Sequence, residues 1–154
     1  MRYIELSKGH RAIVDDEDFE NLNKLTWHVL TTKYSLYGVH HERGKSTLLH
    51  RLILNPRDDE FCDHINRNGL DNRRENLRIC TNSQNSYNTK IQKNNTSGFR
   101  GVCWNKRKKR WYAYIKHHGK QIYLGLFLDK ELAAKEYNKA ALKYAGAFAH
   151  LNQI

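Results

Sequence analysis

The sequence lacks the cysteine pattern of a zinc ribbon or a disulfide framework, because Cys62, Cys80 and Cys103 form no C-x-x-C pair. No stretch approaches the roughly 18 apolar residues that a membrane span needs. The amino terminus also lacks an apolar run followed by small residues, as a signal peptide would have. These absences predict an intracellular, cytoplasmic protein.

Acidic residues are scarce in the second part of the chain. Residues 91–154 hold 13 lysines and arginines against 3 aspartates and glutamates, whereas residues 1–90 hold 14 against 13. This asymmetry predicts two modules, of which the second binds a polyanion, with nucleic acid as the leading partner. An anionic membrane is the alternative, but the basic residues lie among strand-like aromatic residues rather than on an amphipathic helix.

A polar, turn-rich run, Asn94-Asn95-Thr96-Ser97-Gly98, coincides with the change in charge. We therefore predict domains at 1–90, with a core motif at 48–88, and at 98–152, joined by a linker at 91–97. The first domain begins with patterns that predict a hairpin over 3–14, a short helix after Asp15, a strand at Tyr34–Val39 and a turn or helix at Ser46–Leu54.

The second domain carries three strand patterns, Phe99–Asn105, Arg110–His117 and Lys120–Phe127, followed by an amphipathic helical pattern over 129–145. Alternation along the second strand directs Trp111, Ala113 and Ile115 towards the helix. The opposite face is then aromatic and cationic. It predicts a sheet that enters the major groove of DNA, although a solvated polar face is the alternative. The candidate DNA-binding residues are Arg100, Arg110, Tyr112, Tyr114, Lys116, Gln121 and Tyr123.

Four segments of this region together resemble the apetala/ethylene-response-factor (ERF) DNA-binding domain of plant transcription factors. They are Ser97-Gly98-Phe99-Arg100-Gly101-Val102, Trp111-Tyr112-Ala113-Tyr114-Ile115, Tyr123-Leu124-Gly125-Leu126-Phe127 and Ala133-Ala134-Lys135-Glu136-Tyr137. The resemblance covers 97–152 and implies a three-stranded sheet in the major groove with a helix behind it. Cys103 and Gln121 stand where the plant proteins commonly have arginine, so their target sequence is not transferred.

A second constellation, Asp63 to Asn85, combines a carboxylate, an imidazole and several amides. Turn residues after His64 and a return-strand pattern at Leu77–Cys80 predict strand, turn, strand and helix. Phosphodiester hydrolysis suits these groups. A hard ion such as Mg²⁺, or alternatively Mn²⁺, takes oxygen ligands, and a neutral His64 can deprotonate water.

Asp63-His64-Ile65, Asn76-Leu77-Arg78 and Asn85 resemble the motif of the HNH nuclease family, in a variant found in phage and intron homing endonucleases. This resemblance covers about residues 45–90. It implies Asp63 and Asn85 as metal ligands, His64 as general base and Asn76 as support of the histidine loop. The expected fold is α+β, with an N-terminal ββα-metal nuclease module and a C-terminal sheet packed on one helix.

Several alternatives stay open. His50 either steers a phosphate or braces the core, and Asn85 is favoured over Asn88 as a ligand by the motif spacing. Arg51, Arg73 and Arg78 are candidate contacts to the DNA backbone. The predicted function is a homing-type DNA endonuclease of phage or bacterial type, acting as a monomer or as a dimer on DNA. A non-catalytic DNA-binding regulator is the alternative, and RNA is a weaker substrate candidate.

Overall fold

The computed structural model describes residues 1–89, 91 and 94–154, which form two compact units, Met1–Asn82 and Ser83–Ile154. Helices and antiparallel sheets occur together, which confirms the predicted α+β class. Lys90, where the first predicted domain ends, and Gln92 and Lys93 of the predicted linker lie outside the described residues. The domain limits at 90 and 98 therefore stay predictions.

The first unit consists of short elements that form three small sheets, β1-β2, β3-β4-β5 and β6-β7. In chain order the elements are β1 (Arg2–Glu5), β2 (Arg11–Val14), α1 (Asp16–Leu22), β3 (His28–Thr31), β4 (Leu36–Glu42), β5 (Lys45–Leu48), α2 (Leu49–Leu54), β6 (Phe61–His64) and β7 (Leu77–Cys80). Three predictions are confirmed: the first hairpin is β1-β2, the short helix with an acidic first turn is α1, and the return strand is β7.

The segment Ser46–Leu54 is not the single turn or helix that its sequence predicts. Its first part is β5, and only the part from Leu49 onwards is helical. The reason lies in β4, which extends beyond the predicted Val39 to Glu42 and so offers β5 an antiparallel partner. Strand β3 was not predicted at all and pairs with the other edge of β4.

The core of the first unit fixes the elements that carry the candidate site. Leu49 of α2 and Leu77 of β7 are buried in one apolar cluster with residues of β1, β2 and α1. Trp27 closes this cluster and donates its indole N–H to the carbonyl oxygen of Leu22 at 2.8 Å. Helix α2 and the β6-β7 hairpin are thereby held on the same core.

The second unit contains the predicted three-stranded sheet packed on one helix. Its elements are α3 (Asn82–Tyr87), which begins at the unit boundary, β8 (Val102–Asn105), β9 (Arg110–His117), β10 (Lys120–Phe127) and α4 (Lys130–Ala145), with β9 central in the sheet. Ala113 and Ile115 of β9 are buried beneath α4, as the alternation predicts. Asp129 caps α4 by accepting a hydrogen bond from the backbone N–H of Glu131.

Strand β8 begins three residues later than predicted. Gly101 adopts φ +67°, a left-handed conformation that interrupts an extended strand. A Cβ at this position would lie 2.2 Å from the Tyr137 ring and 2.4 Å from the Tyr114 carbonyl oxygen. The close approach of α4 and β9 at this point therefore requires glycine. Within the described part of the chain, no helix is long and apolar enough to cross a membrane.

Candidate active site and nucleic-acid interface

The β6-β7 hairpin places Asp63 and His64 side by side at the end of β6. In the antiparallel register Asp63 lies opposite Arg78, and His64 lies opposite Leu77. Both residues are only 6% exposed, which is unusual for an aspartate. The pKa of His64 is lowered, mainly because burial disfavours the charged imidazolium, and the hydrogen bond to Asn72 and the charge of Asp63 only partly oppose this.

The hydrogen bond of His64 decides which ring nitrogen is basic. Its Nε2 lies 3.2 Å from Oδ1 of the fully buried Asn72. An amide oxygen only accepts, so Nε2 carries the proton and Nδ1 keeps its lone pair. Asn72 is held in turn by its backbone N–H, which donates to the Ile13 carbonyl oxygen at 2.8 Å.

Asn76 supports the loop between the two strands. Its Oδ1 accepts the backbone N–H of Asn66 at 3.0 Å, and its Nδ2 donates to the carbonyl oxygen of Asp71 at 2.7 Å. Its own carbonyl oxygen accepts the N–H of Ile65. These contacts span the loop that follows His64 and are those expected of a supporting residue.

Three rings cluster around the candidate base. The rings of His50 and His64 meet edge-on with centroids 4.9 Å apart. The centroid of the Tyr37 ring lies 5.7 Å from that of His50 and 5.8 Å from that of His64. Gly69 allows this approach, since a Cβ there would lie 2.5 Å from the Tyr37 ring. Tyr37 and Asn72 were not among the predicted site residues. Neither residue stands at one of the motif positions that carry the HNH resemblance, so neither was assigned a role.

His50 is buried against this cluster in its neutral form. Burial lowers its pKa to about 3, and the neighbouring Arg51 and His64 act in the same direction. Its Nδ1 is a buried atom with no hydrogen-bond partner within the described residues. A buried polar atom of this kind is typical of a site that takes a ligand or water.

Asp63 forms an ion pair with Arg78, which lies opposite it in the hairpin. Nε and Nη2 of Arg78 donate to Oδ2 of Asp63 at 2.8 and 2.6 Å. No group of three or more histidine, cysteine, aspartate or glutamate side chains suited to a metal ion occurs among the residues that the structure describes. One buried carboxylate together with an amide oxygen still fits Mg²⁺, which keeps several waters and needs few protein ligands.

Asn85, the other predicted metal ligand, lies in the second unit. Asn85 is half-buried on α3, and its carbonyl oxygen accepts the backbone N–H of Asn88 at 3.2 Å. Asn88 is buried. Asp63, His64, Asn76 and His50 belong to the first unit and Asn85 to the second, so its role as ligand stays a prediction from the motif.

The three arginines predicted to touch the DNA backbone all have protein partners. Arg73 binds both carboxylate oxygens of Asp71 at 2.8 Å, and this pairing lowers the pKa of Asp71. Arg51 donates to the carbonyl oxygen of Glu60 at 3.2 Å, and Arg78 binds Asp63. Their contacts with DNA stay predictions.

In the second unit, the sheet face turned away from α4 carries an ordered group of polar and aromatic side chains, here called the outer face. It consists of Arg110, Tyr112, Tyr114, Lys116, Gln121 and Tyr123. Tyr112 stacks on Tyr123 with ring centroids 5.3 Å apart and an interplanar angle of 25°. Arg110 and Lys116 are exposed. The result is a cationic surface with stacked aromatic side chains.

Arg100 lies at one margin of this surface. Its guanidinium donates to the carbonyl oxygen and hydroxyl of Thr89, and its backbone N–H donates to Asn152 Oδ1 at 2.7 Å. Arg100, Tyr114 and Lys116 line one cleft of about 440 Å³. The structure thus brings three of the predicted DNA-binding residues together within the second unit.

Comparison with known proteins gives matches for both parts. Residues 56–87 match the family model described as HNH endonuclease. An uncharacterized HNH endonuclease of Acanthamoeba polyphaga mimivirus is 32% identical over 152 residues, which are 96% of this chain and 77% of that protein. Protein 3.8 of Escherichia phage T7 is 39% identical over 61 residues, 40% of this chain and 50% of the phage protein.

The C-terminal region has relatives of another kind. APETALA2-like protein 2 of Oryza sativa subsp. indica is 42% identical over 57 residues, which are 37% of this chain and 13% of the plant protein. The chain thus spans half the length of the phage relative and a small part of the plant one. The predicted combination of an HNH module with an ERF-type domain is confirmed.

Proposed function

The chain belongs to the HNH endonuclease family, and from this premise we propose that it is a metal-dependent, site-selecting DNA endonuclease of the homing type. The observation that carries the proposal is the state of His64, which lies beside Asp63 and donates Nε2–H to Asn72. A buried, neutral imidazole whose Nδ1 keeps its lone pair is the form that a general base needs. Burial lowers the pKa of His64, which favours the neutral imidazole.

In the proposed reaction, Nδ1 of His64 takes a proton from a water molecule whose oxygen forms a new bond to phosphorus. The bond from phosphorus to the 3′ oxygen breaks, and the leaving oxygen takes a proton from solvent. Asn72 orients the imidazole, and Asn76 holds the loop in which Asn72 lies. Asp63 and Asn85 would hold Mg²⁺, or Mn²⁺, which when bound would stabilise negative charge on the phosphoryl oxygens and the departing oxygen.

Target selection is proposed to reside in the second unit. Its outer face presents Arg110 and Lys116 beside three tyrosines. A sheet of this kind fits the major groove of double-stranded DNA, where basic side chains contact phosphates and base edges. The similarity of this region to plant APETALA2-like proteins supports the assignment.

One observation favours a second candidate, a non-catalytic DNA-binding regulator built on the same fold. The guanidinium of Arg78 already supplies a positive charge to Asp63, the carboxylate proposed to bind the metal. In a regulator this ion pair would be a permanent part of the fold. In a nuclease it would have to share the carboxylate with the metal ion.

Plasmid cleavage separates the two candidates. We expect the wild-type chain to nick or linearise plasmid DNA with Mg²⁺ or Mn²⁺ and to leave it intact with EDTA. His64→Ala should lower the rate by roughly 10²- to 10⁴-fold, the usual contribution of a general base. His41→Ala, which removes an exposed histidine of the same unit, is the matched control and should cleave normally. If wild type and His64→Ala both leave the DNA intact under all metal conditions, the proposal that the chain is a nuclease is wrong.

A further inference from the structure

We propose that Gln121 selects adenine at one base pair of the target site, and that the hydroxyl group of Tyr112 fixes the orientation of the Gln121 amide for this purpose. This inference rests on the proposed function, in which the outer face of the second unit binds duplex DNA.

Gln121 occupies an exposed position on the outer face. It pairs with Lys116 in the antiparallel register of β9 and β10, on the side opposite the buried Ala113 and Ile115. Its Nε2 donates a hydrogen bond of 2.8 Å to the hydroxyl oxygen of Tyr112. The side chain is therefore both accessible to a ligand and attached to a neighbour.

The partner hydroxyl is itself held in place. The Tyr112 ring stacks on Tyr123, and its centroid lies 5.6 Å from that of Tyr114. Aromatic neighbours on two sides restrict rotation of the Tyr112 ring. Because its hydroxyl occupies a defined position, the Gln121 amide is biased towards the orientation in which Nε2 faces Tyr112.

This orientation sets the hydrogen-bonding pattern that Gln121 presents to DNA. An amide nitrogen carries two N–H groups, so one N–H and the carbonyl oxygen remain to face a base. The major-groove edge of adenine offers an acceptor at N7 and a donor at N6, which this pair matches. Guanine offers acceptors at N7 and O6, so the glutamine oxygen would oppose O6. The geometry points to adenine over guanine.

The test is selection of binding sites from a randomised duplex pool by the full chain, in EDTA so that no cleavage intervenes. Wild type should enrich adenine at one position, with a preference over guanine of roughly 5- to 150-fold. Gln121→Arg should change that position to guanine, and Gln121→Ala should abolish the preference there. Tyr112→Phe should weaken the preference while the other positions of the site are kept.

Tyr144→Phe is the matched control, because it removes the same hydroxyl group from helix α4, which packs on the other face of the sheet, and keeps the bond between Tyr112 and Gln121. It should leave the adenine preference unchanged. If wild type and Gln121→Arg select the same sequence, or if Tyr144→Phe acts as Tyr112→Phe does, the inference is wrong while DNA binding stands. If the full chain selects no duplex at all, the proposed DNA-binding function fails and this inference fails with it.

Discussion

At the scale of single residues, the candidate chemistry depends on how neutral side chains are oriented inside a buried cluster. His64 has a defined tautomer because Asn72 accepts its Nε2–H, and Asn72 has a defined position because β2 holds its backbone. Each link is a hydrogen bond between uncharged groups. Such bonds contribute about 1 kcal/mol each to stability, so their larger effect is on orientation.

The first prediction concerns Asn72. Asn72→Ala should reduce the cleavage rate by roughly 10- to 100-fold, because the imidazole loses the acceptor that fixes its tautomer. Asn72→Asp keeps an acceptor at the same place and should retain more activity than the alanine variant. Single-turnover cleavage of plasmid DNA measures both rates, with thermal unfolding as the check on folding. Equal rates for wild type and Asn72→Ala would contradict the orienting role.

The second prediction concerns His50 and stability. Its pKa is about 3 in the folded chain and about 6.5 when unfolded. Between these values the unfolded state binds one more proton, so stability falls as pH decreases, by about 1.4 kcal/mol per pH unit. Urea unfolding at pH 7, 6 and 5 should show a steeper loss for wild type than for His50→Gln, which does not titrate. Parallel losses would show that His50 contributes nothing to acid sensitivity.

The sequence could predict residues within a local motif but not those brought in by tertiary contacts. Asp63 and His64 are adjacent in sequence, so their position at a strand end follows from local pattern. Tyr37 reaches the same cluster from β4, 27 positions away from His64. Nothing in the spacing of Tyr37 distinguishes it from a core tyrosine, and only the folded chain shows that Gly69 leaves room for it.

At the scale of elements, the second unit was more predictable than the first. Strands β9 and β10 have the predicted bounds. Each is eight residues long, and both the alternation of its side chains and the turns beside it could be read from the sequence. Elements of the first unit are four to seven residues long, and strand β3, His-Val-Leu-Thr, shows no alternation of polar and apolar residues. Pairing with β4 rather than local propensity makes this segment extended.

The third prediction tests the close packing of α4 on the sheet. Gly101→Ala should destabilise the chain by about 2 to 5 kcal/mol, because the new methyl group meets the Tyr137 ring and the φ angle is left-handed. Gly98→Ala is the matched control, since its φ is also positive, at +78°, but no atom lies within 4 Å of the added carbon. It should cost only about 1 to 2 kcal/mol. Equal losses in urea unfolding would show that packing at Gly101 is unimportant.

At the scale of the whole molecule, the positive charge is concentrated in the part of the chain that is proposed to bind DNA, and the part proposed to cleave it is nearly neutral. The excess of positive charge lies in residues 91–154, and four consecutive basic residues, at 106–109, form the exposed turn between β8 and β9. The first 90 residues are nearly neutral, and several of their arginines are paired with carboxylates. Binding to DNA phosphates should therefore depend on where a positive charge is removed as well as on how many are removed.

The fourth prediction separates position from net charge. Changing Lys106, Lys108 and Lys109 to Gln should reduce the slope of log K against log salt concentration by up to about 2.7, since each phosphate that a lysine neutralises accounts for about 0.9 of that slope. The matched control changes Lys8, Lys24 and Lys33, which are exposed lysines of the first unit, to Gln and removes the same charge. Equilibrium binding to duplex DNA in EDTA at several salt concentrations measures both slopes. If DNA is attracted only by net charge, the slope should change equally in the two variants. If the DNA interface lies on the second unit, the slope should change mainly in the variant of Lys106, Lys108 and Lys109.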